Sequence, residues 1–83
     1  MGILSIENLE KLSENGNSEA SYELGLRYYR GIGTKIDYEK AKNFFEISVN
    51  QGCKSGAYYL GLIFYNGKGV PTNHAKAKEW FEK

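Results

Sequence analysis

The sequence predicts an all-α fold, a superhelical solenoid of about two and a half helix-turn-helix repeats. The first observation behind this is an internal repeat. Gly16, Tyr22, Leu24, Gly25, Leu26, Tyr29, Gly31, Gly33, Lys40, Ala41, Lys42, Phe45 and Glu46 recur without a gap, 36 positions later, as Gly52, Tyr58, Leu60, Gly61, Leu62, Tyr65, Gly67, Gly69, Lys76, Ala77, Lys78, Phe81 and Glu82. A repeat of this length points to two-helix units that must stack, because one unit alone cannot bury its apolar face. Second, the apolar residues of each unit recur at helical spacing, whereas no stretch alternates apolar and polar as a half-buried strand would.

The elements follow in order. Ile6, Leu9 and Leu12 share one helical face, and a shift of 36 places Leu9 on Phe45 and Gly16 on Gly52. Residues 4–14 therefore read as a B-type helix without an A partner. Helix A1 covers about residues 18–30: Asn17 or Ser18 caps it, Ala20, Leu24 and Tyr28 line its buried face, and Gly31 stops it where a left-handed residue is wanted. Helix B1, about 38–51, is capped by Asp37, carries Ala41, Phe44, Phe45 and Ser48 on one face, and ends at Gly52. Helix A2 near 54–66 and helix B2 from Asn73 to the end repeat the plan, with Pro71 in the connection, where it costs no helical hydrogen bond. The chain divides as a single domain, 1–83, made of a half-repeat helix (1–15), repeat one (16–51) and repeat two (52–83) with a short last helix. Gly25 and Gly61 fall mid-helix, where glycine costs roughly 1 kcal/mol against alanine, so close approach of the partner B helix is expected as compensation.

Composition excludes several classes of function. Eighty-three residues with 41% hydrophobic and 25% charged side chains fit one small folded domain rather than a disordered chain. Eleven Lys and Arg against ten Asp and Glu leave a net charge of +1, no field to draw nucleic acid or an anionic membrane. One cysteine and one histidine cannot form an internal disulfide or a Cys/His zinc set. Met1–Ile6 has no basic n-region and Glu7 interrupts its apolar stretch, so it is neither a signal peptide nor a spanning segment, and the chain reads as cytoplasmic.

No catalytic, cofactor or metal constellation stands out. Gly31-x-Gly33 and Gly67-Lys68-Gly69 follow helices and lack the Gly-Lys-Ser/Thr of a phosphate loop, so they read as turns between paired helices. His74 is a lone surface histidine. Cys53 reads either as a reactive thiol at a helix N-terminus or as an incidental loop cysteine. Lys40, Lys42, Lys76 and Lys78 share their helices with Glu39, Glu46, Glu79 and Glu82, which reads as a solvated outer face with local ion pairs. Glu23 and Arg27 become Tyr59 and Ile63, so a face that is polar in repeat one turns apolar in repeat two. That change is expected where repeat two meets repeat one, while repeat one sees mostly a short half-repeat or solvent.

The strings ASYELGLRYYRGIGTKIDYEKAKNFFE and GAYYLGLIFYNGKGVPTNHAKAKEWFEK resemble Sel-one-like repeats, a branch of the tetratricopeptide-like superfamily. The marks are the Leu-Gly pair, the aromatic four residues after that leucine, the Gly-x-Gly connection, Lys-Ala-Lys, and the pairs Phe44-Phe45 and Trp80-Phe81. The resemblance implies a right-handed α-α superhelix that acts as a non-enzymatic protein-binding scaffold or adaptor. Placed as in tetratricopeptide helices, Tyr22, Leu26, Tyr29 and Arg30, with Tyr58, Leu62, Tyr65 and Asn66, turn toward the concave groove that would take a peptide or helix of another protein. Tyr and Arg commonly anchor interfaces, but plain packing within the solenoid fits this face equally, and Tyr22 and Tyr58 are the best suited to the core. Two features depart from the pattern: Cys53 replaces the polar residue that caps helix A1, and helix B2 stops short of its counterpart, so the array reads as cut or as completed by another chain. The alternative function is therefore structural, with homo-oligomers formed by end-to-end stacking through Trp80 and Phe81.

Overall fold

The structure, a computed structural model, describes residues 4–83. Its helices are α1 (Ile6–Glu14), α2 (Ser18–Arg30), α3 (Tyr38–Asn50), α4 (Ser55–Asn66) and α5 (His74–Phe81), and no strand occurs among the described residues. α2 and α3 are the A and B helices of repeat one, α4 and α5 those of repeat two, and α1 is the lone B-type helix.

Local chemistry sets the helix starts. Ser5, Asn17, Asp37 and Asn73 each accept, on a side-chain oxygen, the backbone N–H three residues on. That satisfies one of the donors every helix start leaves open. α4 is the exception. Cys53 stands at the position of Asn17, no side chain caps the helix, and it begins at Ser55, one residue later than its counterpart in α2.

The A-to-B turns are copies of one another. Gly31 and Gly67 stop the A helices at φ 71° and 66°. Ile32 N–H then donates to Arg27 O and Lys68 N–H to Ile63 O, both at 2.9 Å. Asp37 N–H closes the turn on Tyr28 O, and Asn73 N–H does so on Phe64 O. The capping side chain of each B helix is thereby held beside the A helix it follows.

Leu24, Ala41, Phe45, Leu60 and Ile63 form the sealed centre of the core, with Leu9, Ala20 and Tyr28 beside them. The mid-helix glycines have the compensation expected of them, and the approaching group is a ring. A Cβ on Gly25 would stand 2.5 Å from Phe45 Cε1, and one on Gly61 would run into the Phe81 ring in the same way. Gly56 serves the contact between repeats: a Cβ there would come 2.8 Å from Phe45 O, so only glycine lets α4 lie this close to α3.

Consecutive helices pack side by side, and α2 also approaches α4 directly, whereas α1, α3 and α5 keep apart from one another among the described residues. A helices that converge while B helices fan apart describe a curved array with the A layer on its inner side. The whole measures 39 × 26 × 19 Å.

The first junction, α1 on α2, gives the polar face of repeat one to the half-repeat rather than to solvent. Arg27 is polar but not solvated: it is 5% exposed, donates to Leu4 O at 2.7 Å and pairs with Glu23 at 3.1 Å. A buried guanidinium is tolerable when its donors are matched in this way. Ser13 and Ser21 share a hydrogen bond of 2.5 Å; Ser21 Oγ donates to Gln51 Oε1 at 2.6 Å, and Gln51 Nε2 donates to Ser13 O. In the second junction the positions of Ser13, Ser21 and Arg27 are held by Val49, Ala57 and Ile63, all apolar, and Ile63 is completely buried as the change from Arg27 foretold.

Candidate functional site

The inner face is carried by α2 and α4, and its centre is a residue the sequence reading left out of the site. Tyr59 projects from α4 into a socket of three rings belonging to repeat one. Its ring stacks on Phe45 at 5.1 Å and 12°, meets Tyr29 edge-on at 5.5 Å and lies 6.0 Å from Tyr22. Arg30 closes the arrangement, donating to the Tyr59 hydroxyl at 2.8 Å with its guanidinium 5.9 Å from the ring centre. Offset stacking, edge contacts and a cation over a ring each favour this geometry. The available signal was the change from Glu23 to Tyr59, which was read as general packing between repeats rather than as the insertion of one ring.

Burial raises the Tyr22 hydroxyl above its ordinary pKa, and the neighbouring Tyr59 adds to the shift. Tyr29 is raised as well, first by burial and then by Tyr38 and Tyr59. Both effects follow from disfavouring a phenolate among other phenols with little water.

The eight residues predicted for the groove do not share one fate. Tyr22 and Tyr29 are half-buried in the Tyr59 socket, and Leu26 and Leu62 are half-buried as well. Arg30, Tyr58, Tyr65 and Asn66 are exposed. Tyr58, expected to suit the core, is 56% exposed and Tyr65 is 53% exposed. The core assignment fails for Tyr58 because the described residues supply no third A helix to cover it. Its aromatic neighbours among the described residues are Tyr59 and Phe81.

The contacts inside repeat two nonetheless copy those of repeat one. Tyr58 lies 5.9 Å from Phe81, as Tyr22 does from Phe45. Tyr65 stacks on His74 at 4.6 Å, where Tyr29 meets Tyr38. His74 is thus engaged by a ring rather than simply solvated. The lysines also depart from the expected ion-pair ladder. Lys42 pairs with Glu46 at 3.9 Å, but Lys40 lies over Tyr28 at 5.3 Å and Lys76 over Phe64 at 5.0 Å, capping the outer ends of buried rings.

A cleft of about 530 Å³ continues the inner face toward α1, lined among others by Leu4, Leu12, Tyr22, Glu23 and Cys53. Leu4, Leu12 and Tyr22 make its walls largely apolar, and Glu23 gives it an acidic edge. No helix of the described residues is long and apolar enough to cross a membrane.

These features define a short α-solenoid of two-helix repeats with an aromatic inner face. The Sel1 repeat family model matches residues 18–53 and 54–83, and the chain belongs to that family. It is 42% identical over 50 residues to the sel1-like repeat-containing protein L18 of Acanthamoeba polyphaga mimivirus, covering 60% of this chain and 9% of that one. In structure it is similar to c5321, a protective antigen present in uropathogenic Escherichia coli strains and displaying an SLR fold. That likeness has a TM-score of 0.88 at 36% identity and covers 96% of this chain and 17% of the other. A Sel1 repeat protein from Oxalobacter formigenes shares the fold with a TM-score of 0.88 at 23% identity, covering 93% of this chain and 31% of its own. The chain thus spans less than a third of each of these proteins. Sel1 repeats generally mediate protein–protein interaction and are generally non-catalytic scaffolds.

Proposed function

We propose that this chain is a non-enzymatic adaptor whose inner, A-helix face binds a peptide or helix of another protein, with Arg30, Tyr58, Leu62, Tyr65 and Asn66 as its main contacts. The observation that carries the reading is the exposure of Tyr58 and Tyr65 on that face, 56% and 53%. Exposed tyrosines in a line, with an arginine beside them, present large area at low entropy cost and keep polar handles. Tyr22 and Tyr29 contribute indirectly, by seating Tyr59 and so fixing α4 against α2.

The test is affinity capture from lysate of the source organism with wild-type chain and with an Arg30→Ala/Tyr65→Ala variant of equal helicity by circular dichroism. Both residues are exposed, so the fold should survive. A protein held by the wild type and lost from the variant supports the adaptor; equal retention by both refutes the face as the working surface.

A second reading, end-to-end self-association, is favoured by the 43% exposure of Phe81, although Trp80 is half-buried against the core. It requires a melting temperature that rises with chain concentration.

A further inference from the structure

Two cations stand at the ends of the A helices with no task in the turns that hold them. Arg30 ends α2, and Lys68 follows the glycine that stops α4. A shift of 36 exchanges each for a neutral residue: Asn66 ends α4, and Ile32 follows the glycine that stops α2. The two turns carry the same hydrogen bonds with either residue, so neither charge is needed to make them.

The junction between repeats brings both charges onto one cluster of rings. Tyr29 meets Tyr59 at 5.5 Å and Tyr38 at 5.6 Å. The Arg30 guanidinium lies 5.9 Å from the centre of the Tyr59 ring, and Lys68 Nζ lies 5.6 Å from that of Tyr38. By donating to the Tyr59 hydroxyl at 2.8 Å, Arg30 is fixed across the seam between α2 and α4. Neither cation has a carboxylate partner among the described residues, where the ion pairs are Arg27–Glu23 and Lys42–Glu46 and Asp37 accepts from Lys40 N–H. Arg30 is exposed, and Leu26 and Leu62, one turn before Arg30 and Asn66, are half-buried beside it.

From this we propose that the seam between α2 and α4 docks an acidic peptide segment of another protein. A glutamate or aspartate side chain pairs with Arg30, Lys68 adds its field, and an apolar neighbour rests on Leu26 and Leu62. A guanidinium with one donor engaged keeps others for a carboxylate, which it can hold by two parallel bonds, whereas an ammonium acts as a point charge. Both walls of the seam are in the structure, so a helix added before α1 or after α5 would lengthen the array without covering it. The inference rests on the adaptor reading and gives the charge of its partner.

The probe is a short end-capped peptide of glutamate and leucine, titrated into the isotope-labelled full chain and followed by nuclear magnetic resonance. The expected result is movement of the Arg30 Nε–H signal and of the Leu26 and Leu62 methyl signals. The same peptide with glutamine for glutamate should bind about tenfold or more weakly. Arg30→Gln should weaken the glutamate peptide to a similar degree and Lys68→Gln less, and binding should fall as salt is added. The peptide exchange and Lys68→Gln leave the bond between Arg30 and Tyr59 in place, so the test does not depend on how Arg30→Gln affects the seating of α4.

No shift at the peptide's solubility limit, or shifts confined to Lys40, Lys42, Lys76 and Lys78, overturns the acidic-segment site. So does a glutamine peptide with a free C-terminal carboxylate that binds as tightly as the capped glutamate peptide, which would give Arg30 to a chain end. Equal movement of Leu26 and Leu62 by the capped glutamine and glutamate peptides also overturns it but leaves the adaptor reading standing, since that reading fails only in the lysate capture.

Discussion

Phe45 and Phe81 occupy the same position in the two repeats, and each ring lies on a mid-helix glycine of its own A helix. Phe45 is completely buried, yet Phe81 is 43% exposed. Part of this lies within the repeats, since α5 ends at Phe81 whereas α3 runs on past Phe45 to Asn50. The rest is made by α4, which covers Phe45 with Tyr59, while the described residues hold no equivalent cover for Phe81. Tyr22 and Tyr58 part company for the same reason. In a stacked array each unit builds half of every junction, so the burial of a side chain belongs to the junction rather than to the unit that encodes it.

Substitutions can break or sharpen that comparison. The largest effect is expected from Ile63→Glu, which places a carboxylate in the sealed apolar junction. The loss should be about 3 kcal/mol or more, a large part of the stability of a domain this small. Thermal denaturation followed by circular dichroism measures it, and unchanged melting would remove the claim that this junction holds the repeats together.

Next come the matched glycines. Gly25→Ala pushes a methyl group into a ring that Tyr59 holds in place, and overpacking of this kind costs about 1–3 kcal/mol. Gly61→Ala meets the Phe81 ring at an open face, where the ring can swing aside, and the gain of roughly 1 kcal/mol in helix propensity offsets the strain. Denaturant midpoints should therefore fall for the first variant and hold or rise for the second. Equal losses would mean that the rings are fixed by their own repeats after all.

The smallest effect is electrostatic. Tyr22 and Tyr29 have pKa values raised above 10.0 by burial, so the unfolded chain releases these protons first. Their contribution to stability is complete below the ordinary tyrosine pKa and is lost as pH rises through the raised values. In an ultraviolet titration, Tyr22→Phe and Tyr29→Phe should each remove a late-ionising phenol. Loss of an early one would contradict the socket's dryness.

Much of this architecture was legible in the sequence because local chemistry dictates it. Asn17, Asp37 and Asn73 announce helix starts, Gly31 and Gly67 announce stops, and the 36-residue repeat orders the pieces. The missing cap at Cys53 was legible too, and α4 starts late there. What escaped depends on partners distant in sequence. The sequence left the Arg27 face between the half-repeat and solvent because its acceptor is the carbonyl of Leu4, in the segment that leads into α1. Lys40 and Lys76 looked like members of ion pairs because a ring on the preceding helix cannot be seen in a charge pattern. Tyr59 was recognised as different from Glu23, but that its ring fills a socket requires knowing where Tyr22, Tyr29 and Phe45 meet.

α1 is fastened at both ends by directional bonds. Arg27 holds the Leu4 carbonyl just before its start, and Ser21 with Gln51 holds Ser13 near its finish. A helix gripped only by apolar contact, as Leu9 provides between these points, is free to roll or slide by small amounts at little cost. Hydrogen bonds at two separated points forbid both motions at once. α1 therefore works as a datum for α2: the two are locked in one orientation, and among the described residues each following helix, laid on its predecessor, takes its angle from that junction.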